Sequence, residues 1–263
     1  MNTTLSNTAR FGAALLSLAA TAAFAAPLPV GWTTNGNAGT NTAADGVVSL
    51  APGFSAYQWV STENGIGGGG NLPTNNPAST TNGATIRTST FAVAAGDSLS
   101  FFFNYITSDG AGFSDFAWAG LFSGTSTFDK YLFTARTTTS GNTVPGFGLP
   151  GIGAGVTLLP SSTPIIGGAP NFSPLGTSSG RCFDSGCGYT GWIKMNYNFT
   201  AAGVYSLRFG VANFVDTSFD SAFAIAGVAI NDIPVEPVPT PATLALVALG
   251  LLGVGLSRRA REA

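Results

Sequence analysis

The chain contains no histidine, and that single absence removes several chemistries at once. A serine nucleophile needs a neighbouring base, normally an imidazole, to take its proton. Ser98, in Gly96-Asp97-Ser98-Leu99, has none, so the tetrapeptide reads as turn chemistry at the entry to a strand. Cys182 and Cys187 are the only thiols, too few without imidazoles to complete a tetrahedral metal site. Charge is scarce as well: Asp, Glu, Lys and Arg make up 8 % of the residues, where about a quarter is usual. Between residues 26 and 235, six basic residues face ten acidic ones, a net charge of −4 with no basic stripe. Binding of nucleic acid through phosphate neutralisation is excluded on that ground. Helical periodicity is missing from the same stretch.

What fills the space is Gly, Ser, Thr and Asn, together with 20 Phe. So large an aromatic content can stabilise a core and argues against disorder. Its arrangement is that of strands. Ile193, Met195, Tyr197 and Phe199 alternate with Trp192, Lys194, Asn196 and Asn198, and Tyr205, Leu207, Phe209 and Val211 alternate with smaller or polar residues. With Ala201-Ala202-Gly203 between them, the two runs predict a hairpin. Ala84 to Val93 and Leu99 to Ile106 read as strands separated by Ala95-Gly96-Asp97. Phe116 to Phe122 and Phe128 to Thr137 read as a pair, and Ala222 to Ile230 as a central strand. Asn64 to Gly83 and Gly141 to Ser179 break the rhythm with proline and glycine, the second being longer than an ordinary connection. Gly146-x-Gly148-x-x-Gly151 lies in that second stretch between Pro145 and Pro150. It lacks the strand and helix a dinucleotide fingerprint requires, and reads as loop. The expected fold is all-β, a jelly-roll-like β-sandwich over residues 26–235, flanked by an N-terminal signal peptide and a C-terminal transmembrane helix.

The two ends carry addresses. Arg10, an apolar stretch from Phe11 to Ala22, and Ala23-Phe24-Ala25 before Ala26 form a secretory signal peptide, residues 1–25. At the other end a proline-rich hinge leads into an apolar run over about 242–257, which as a helix is short but sufficient for a bilayer core of about 30 Å. Arg258, Arg259 and Arg261 follow and hold that flank on the cytoplasmic side. In an exported protein, Cys182 and Cys187 at this spacing read as a disulfide closing a short loop.

The tail Val238-Pro239-Thr240-Pro241, its glycine-spaced apolar run and the arginine tip resemble the PEP-CTERM sorting signal of Gram-negative bacteria, with Thr240 at the position usually held by Glu. The resemblance implies that residues 236–263 are read by an exosortase. The precursor would be anchored in the inner membrane, then released to the cell surface or to an extracellular matrix of exopolysaccharide and biofilm. The body is similar to PEP-CTERM proteins of unassigned function through Leu28-Pro29-Val30-Gly31-Trp32, Ser114-Asp115-Phe116-Ala117-Trp118, Leu132 to Thr137 and Val144-Pro145-Gly146. Asp220 to Val228 resembles the closing strand of carbohydrate-binding sandwiches, with Ala226 where such domains often have Asp.

Three functions follow from these readings. The first is a non-enzymatic exported surface or matrix protein. The second is a carbohydrate-binding module, for which Trp192, sharing a face with Lys194 and Asn196, is the candidate glycan contact. The third is a glycoside hydrolase relying on carboxylates alone, since two suitably separated carboxyl groups suffice for that chemistry. Asp109, Asp115, Asp216 and Asp220 are expected as turn residues at the surface, and no cofactor is required. A calcium ion at Asp216 and Asp220 is the alternative for that pair.

Overall fold

Period-two alternation places Leu99, Phe101, Phe103 and Tyr105 on one side of a strand and Ser98, Ser100, Phe102 and Asn104 on the other, and the fold is built on that division. The protein's structure, a computed structural model, describes residues 27–235. The signal peptide (1–25) and the sorting segment (236–263), with Val238, Pro239, Thr240, Pro241, Arg258, Arg259 and Arg261, lie outside the described residues, as does the expected membrane span. Among the described residues no helix is long and apolar enough to cross a membrane.

In chain order the strands are β1 (Thr33–Asn35), β2 (Asn37–Asn41), β3 (Tyr57–Ser61), β4 (Ile66–Gly67), β5 (Thr80–Arg87), β6 (Phe91–Val93), β7 (Ser98–Thr107) and β8 (Phe116–Ser123). They continue as β9 (Thr127–Arg136), β10 (Val156–Leu159), β11 (Ile166–Gly167), β12 (Gly188–Tyr189), β13 (Ile193–Asn198), β14 (Gly203–Phe214), β15 (Ser221–Ile230) and β16 (Ile233–Pro234). One 3-10 segment, Ser173–Ser178, interrupts them. A seven-stranded sheet runs β1-β5-β14-β8-β9, with β4 beside β5 and β6 beside β14. A nine-stranded sheet runs β10-β13-β7-β15-β3-β2, with β12 on β7, β11 on β12 and β16 on β15. The result is an all-β sandwich of two antiparallel sheets.

The core lies between them. Phe101 and Phe103 of β7 and Phe223 of β15 meet Phe133 of β9 and Phe209 of β14 from the opposite sheet. Phe103 and Phe133 stack at 3.9 Å with only 8° between their planes, and Phe209 meets Phe101 edge-on at 5.2 Å. Each sheet also carries a smaller cluster on its outer face. Tyr57, Trp59, Ala222, Ala224 and Ala226 are covered by Val48, Ala51, Phe172 and Leu175. On the other sheet Trp118 donates Nε1–H to the Gly70 carbonyl at 2.8 Å and packs with Phe116 and Tyr131 beneath Leu72.

Several expectations change. Residues 193–199 and 205–211 form strands but no hairpin: β13 pairs with β10 and β7, whereas β14 pairs with β5, β6 and β8 in the other sheet. Both strands bury the apolar face the alternation requires, from opposite sides of one core. Residues 84–93 split into β5 and β6 around Thr88 to Thr90. Within residues 141–179 lie β10, β11 and the 3-10 segment. The β8–β9 pair and the central place of β15, between β7 and β3, are as expected.

Cys182 and Cys187 are disulfide-bonded, with Cα atoms 5.8 Å apart. The loop they close packs against Gly110, where an added Cβ would fall 2.8 Å from Asp184 Cβ. Replacing both cysteines by serine is expected to lower unfolding stability by about 2 kcal/mol, because so small a loop removes little unfolded-state entropy. Urea unfolding in parallel with the native disulfide checks this; a loss beyond twice that would mean the bond holds more than its own turn.

Candidate functional site

At the free edge of the nine-stranded sheet the residues of β2 that face outward are Asn37, Gly39 and Asn41, opposite Ser61, Trp59 and Tyr57 of β3. Glycine at 39 is required: a Cβ there would lie 2.6 Å from the Trp59 indole, which covers this strand. The ring, 9 % exposed, shows little more than an edge to solvent. Beside it opens a cleft of about 340 Å³, lined by Asn37, Asn41, Asp45, Trp59, Glu63 and Asn64 and closed by the 173–176 turn.

Its polar groups are fixed by one another. Asn41 donates Nδ2–H to Tyr57 Oη at 2.9 Å and to Asp45 Oδ2 at 3.3 Å, while its Oδ1 accepts from Trp59 Nε1 at 3.1 Å. Asp45 also accepts from Ser173, through the backbone N–H at 3.1 Å and the hydroxyl at 3.0 Å. Asn37 donates to the Glu63 carbonyl at 2.7 Å. The Glu63 backbone N–H reaches Ser61 Oγ, which in turn donates to the Pro174 carbonyl at 2.6 Å. Burial pushes the Tyr57 phenol up to about 12, so it stays protonated. Burial also raises the Glu63 carboxyl, with Asp220 behind it adding to the effect. The cleft is thus a preformed concave surface of amides, carboxylates and one indole edge, the composition of a site that reads hydroxyl and amino groups.

The residues expected from sequence fall elsewhere. Trp192, Lys194 and Asn196 do share the outward face of their sheet, but Trp192 is half-buried. It donates Nε1–H to the Ser49 carbonyl at 3.0 Å and sets its ring edge-on to Tyr57 at 5.8 Å, which anchors it as packing. Lys194 stands 5.9 Å over the Phe102 ring.

The aspartates are corrected more sharply. Asp109, Asp115 and Asp220 were expected at the surface and are 2 %, 0 % and 5 % exposed. Both Asp115 oxygens are occupied, accepting from the Phe214 N–H at 2.9 Å and the Ser221 hydroxyl at 2.7 Å. Asp220 accepts from the hydroxyls of Thr62 at 3.0 Å and Ser178 at 2.9 Å. Asp216, half-buried, takes the Ser218 N–H at 2.9 Å. Both Asp220 oxygens are thus engaged by the protein, whereas on Asp216 only Oδ1 is; among the described residues no group of three or more metal-ligating side chains occurs. Burial pushes Asp109 up to about 7, and Asp216 and Asp220 add to it; burial and the Asp109 charge hold Asp115 well above the usual carboxylate range. Enclosed in this way, Asp109, Asp115 and Asp220 are closed to a polysaccharide chain. Ser98 sits at the start of β7 with its N–H bonded to Asn231 Oδ1 at 2.9 Å, and Asp97 before it closes the turn by accepting the Ala94 N–H at 2.7 Å.

Sequence reasoning missed the cleft because its walls come from segments 37–45, 59–64 and 173–176. The one available signal was Asn37, Gly39 and Asn41 in phase on a single strand face.

No protein-family model matches the chain, and no curated protein matches it. Among solved structures it is similar to one described as "CBM4 structure and function", at 7 % identity and a TM-score of 0.33, covering 76 % of this chain and 93 % of that one. It is also similar to the K3 cleaved adhesin domain of Lys-gingipain from Porphyromonas gingivalis, at 11 % identity and a TM-score of 0.35, covering 77 % of this chain and 92 % of that one.

Proposed function

We propose that this chain is a non-enzymatic, exported surface or matrix protein whose jelly-roll-like domain binds carbohydrate in the cleft beside β2. The observation that carries the reading is the cleft itself: convergent amides and carboxylates around an indole edge, held in place before any ligand arrives. Planar amides pair well with the vicinal hydroxyls of a pyranose, and the small part of Trp59 left exposed adds an apolar contact. Preformed polar groups also lose little freedom on binding. Export, anchoring through 242–257 and release by an exosortase are proposed from the two ends of the sequence, and an exopolysaccharide is the ligand such a location would supply.

The test is titration calorimetry against glycans selected on an array. Asn37→Ala and Asn64→Ala are each expected to weaken binding about tenfold, the loss of roughly one hydrogen bond's worth of affinity. Trp192→Ala, which removes packing outside the cleft, should lower the melting temperature and leave the affinity as it was. If no glycan binds, or if only Trp192→Ala abolishes binding in a folded domain, the cleft is not the site.

A further inference from the structure

A cleft that reads sugar hydroxyls can be electrically neutral; this one is not. Asp45 and Glu63 stand in its wall, and neither Lys nor Arg is among its lining residues. Among the described residues the single side-chain ion pair joins Lys130 to Asp129 at 3.8 Å, so neither cleft carboxylate has a cation for a partner. The two are not equivalent. Asp45 accepts from Ser173 and Asn41 on both oxygens and is held in place by them. Glu63 receives one weak bond, from Asn64 Nδ2 to Oε1 at 3.3 Å, and its side chain lies against Gly176, where a Cβ would come within 2.5 Å of the carboxyl carbon. Behind it is Asp220, whose buried carboxyl raises that of Glu63 through side-chain contact and already takes hydroxyl hydrogens from Thr62 and Ser178. The cleft therefore carries two carboxyl groups and no cation in its wall, and Glu63, without a cationic partner, is where a bound cation would be stabilised most.

Resting on the reading of the cleft as a sugar site, we infer that its ligand is a polysaccharide bearing free, protonated amino groups, with Glu63 as the group that receives the ammonium. An amine on a pyranose is held beside ring hydroxyls at the spacing the surrounding amides serve. The ammonium N–H to carboxylate bond is charge-assisted, stronger than any the neutral N-acetyl form can make at the same place. Uronic acid polymers are rejected by the same charge, since a carboxylate brought beside Glu63 and Asp45 would meet repulsion and desolvation together. The rise that burial and Asp220 impose on Glu63 agrees with this, because a cation at that position relieves both.

The experiment compares three tetrasaccharides by calorimetry near neutral pH on the mature domain: the glucosamine tetramer, its fully N-acetylated counterpart, and a galacturonate tetramer. The amine form is expected to bind at least about tenfold tighter than the acetylated form, and the uronate not at all. In Glu63→Gln, which keeps the side chain's shape, that preference should fall to within about threefold. Salt gives an independent measurement on the unaltered protein: the preference should shrink markedly between low and high sodium chloride, as a screened ion pair does. Acetylated and amine forms binding equally, with both lost in Asn37→Ala, would overturn the amine inference and leave the sugar site standing. Tight binding of the uronate would do the same. Failure of all three, and of every neutral glycan, would take the sugar site down with it.

Discussion

Phe103→Ala is expected to cost the domain about 4 kcal/mol of unfolding free energy, in the range measured when a buried phenylalanine is cut back to alanine. The ring is fully enclosed. It stacks on Phe133 across the sandwich at 3.9 Å and touches Phe101 at 6.4 Å and Phe223 at 5.9 Å between centroids. Its removal leaves a void bounded by three other rings, each held by its own strand. β7 lies between β13 and β15, and β9 is bound along its length to β8, so neither sheet can move inward to fill the gap. Domains of this size are stable by about 5–15 kcal/mol, so one such substitution takes a large share of the margin. Phe103→Leu fills part of the void and should cost less than half as much. Urea unfolding followed by tryptophan fluorescence measures both. A loss below about 1.5 kcal/mol for the alanine variant would mean the inter-sheet aromatic cluster is not the centre of stability assigned to it.

The side-chain alternation that places Phe103 inward was readable in the sequence, and so were most strands. β7, β8, β9, β13 and β15 fall within a residue or two of the runs that predicted them, because alternation is a local property of the chain. Pairing is not local. Ile193 to Phe199 and Tyr205 to Val211 present matching apolar faces, and a short Gly-containing connection between such runs suggests a hairpin. The same pattern is satisfied equally well when the two strands approach one core from opposite sheets, which is how β13 and β14 lie. Partners from distant segments decided the matter: β7 aligns with β13 over Ser98 to Phe103, and β8 aligns with β14 over Phe116 to Ser123. The surroundings of the glycan candidate lay out of reach for a related reason. Trp192 does stand on the outward face beside Lys194 and Asn196. Its fate was set by Ser49 and Tyr57, some 140 residues earlier in the chain, which no reading of the local pattern could supply. The aspartates were taken for turn residues from their Gly- and Ser-rich surroundings. Hydroxyls of Thr62, Ser178 and Ser221, whose approach the local pattern does not announce, are what make the buried carboxylates tolerable.

That buried cluster gives the second large effect: the domain should become more stable on mild acidification. Asp109 is raised by burial from 3.8 to about 7. Asp115 is raised well above its ordinary value for the same reason, and Glu63 moves in the same direction. A carboxyl with a higher pKa in the folded state binds more protons there than in the unfolded chain. Its contribution to stability is complete below the unfolded value and is lost as pH rises through the folded one. Between about pH 8 and pH 5, Asp109 alone should therefore add on the order of 3 kcal/mol to the unfolding free energy, with Asp115 adding in the same sense. Asp97 opposes the trend, since bonds from the Ala94 N–H and Asn231 hold it low, but it is only partly buried and screened by solvent. In Asp109→Asn the side-chain oxygen still accepts from the Gly110 N–H, now made at 2.7 Å, while the charge that resists burial is gone. This variant should exceed the parent in stability at pH 8 and lose most of the gain on acidification. Denaturant unfolding across that range measures both slopes. A stability curve that is flat, or that falls toward pH 5, would mean Asp109 and Asp115 are ionised in the folded state at no cost. The enclosed carboxylate cluster would then have compensation that its hydrogen bonds do not reveal.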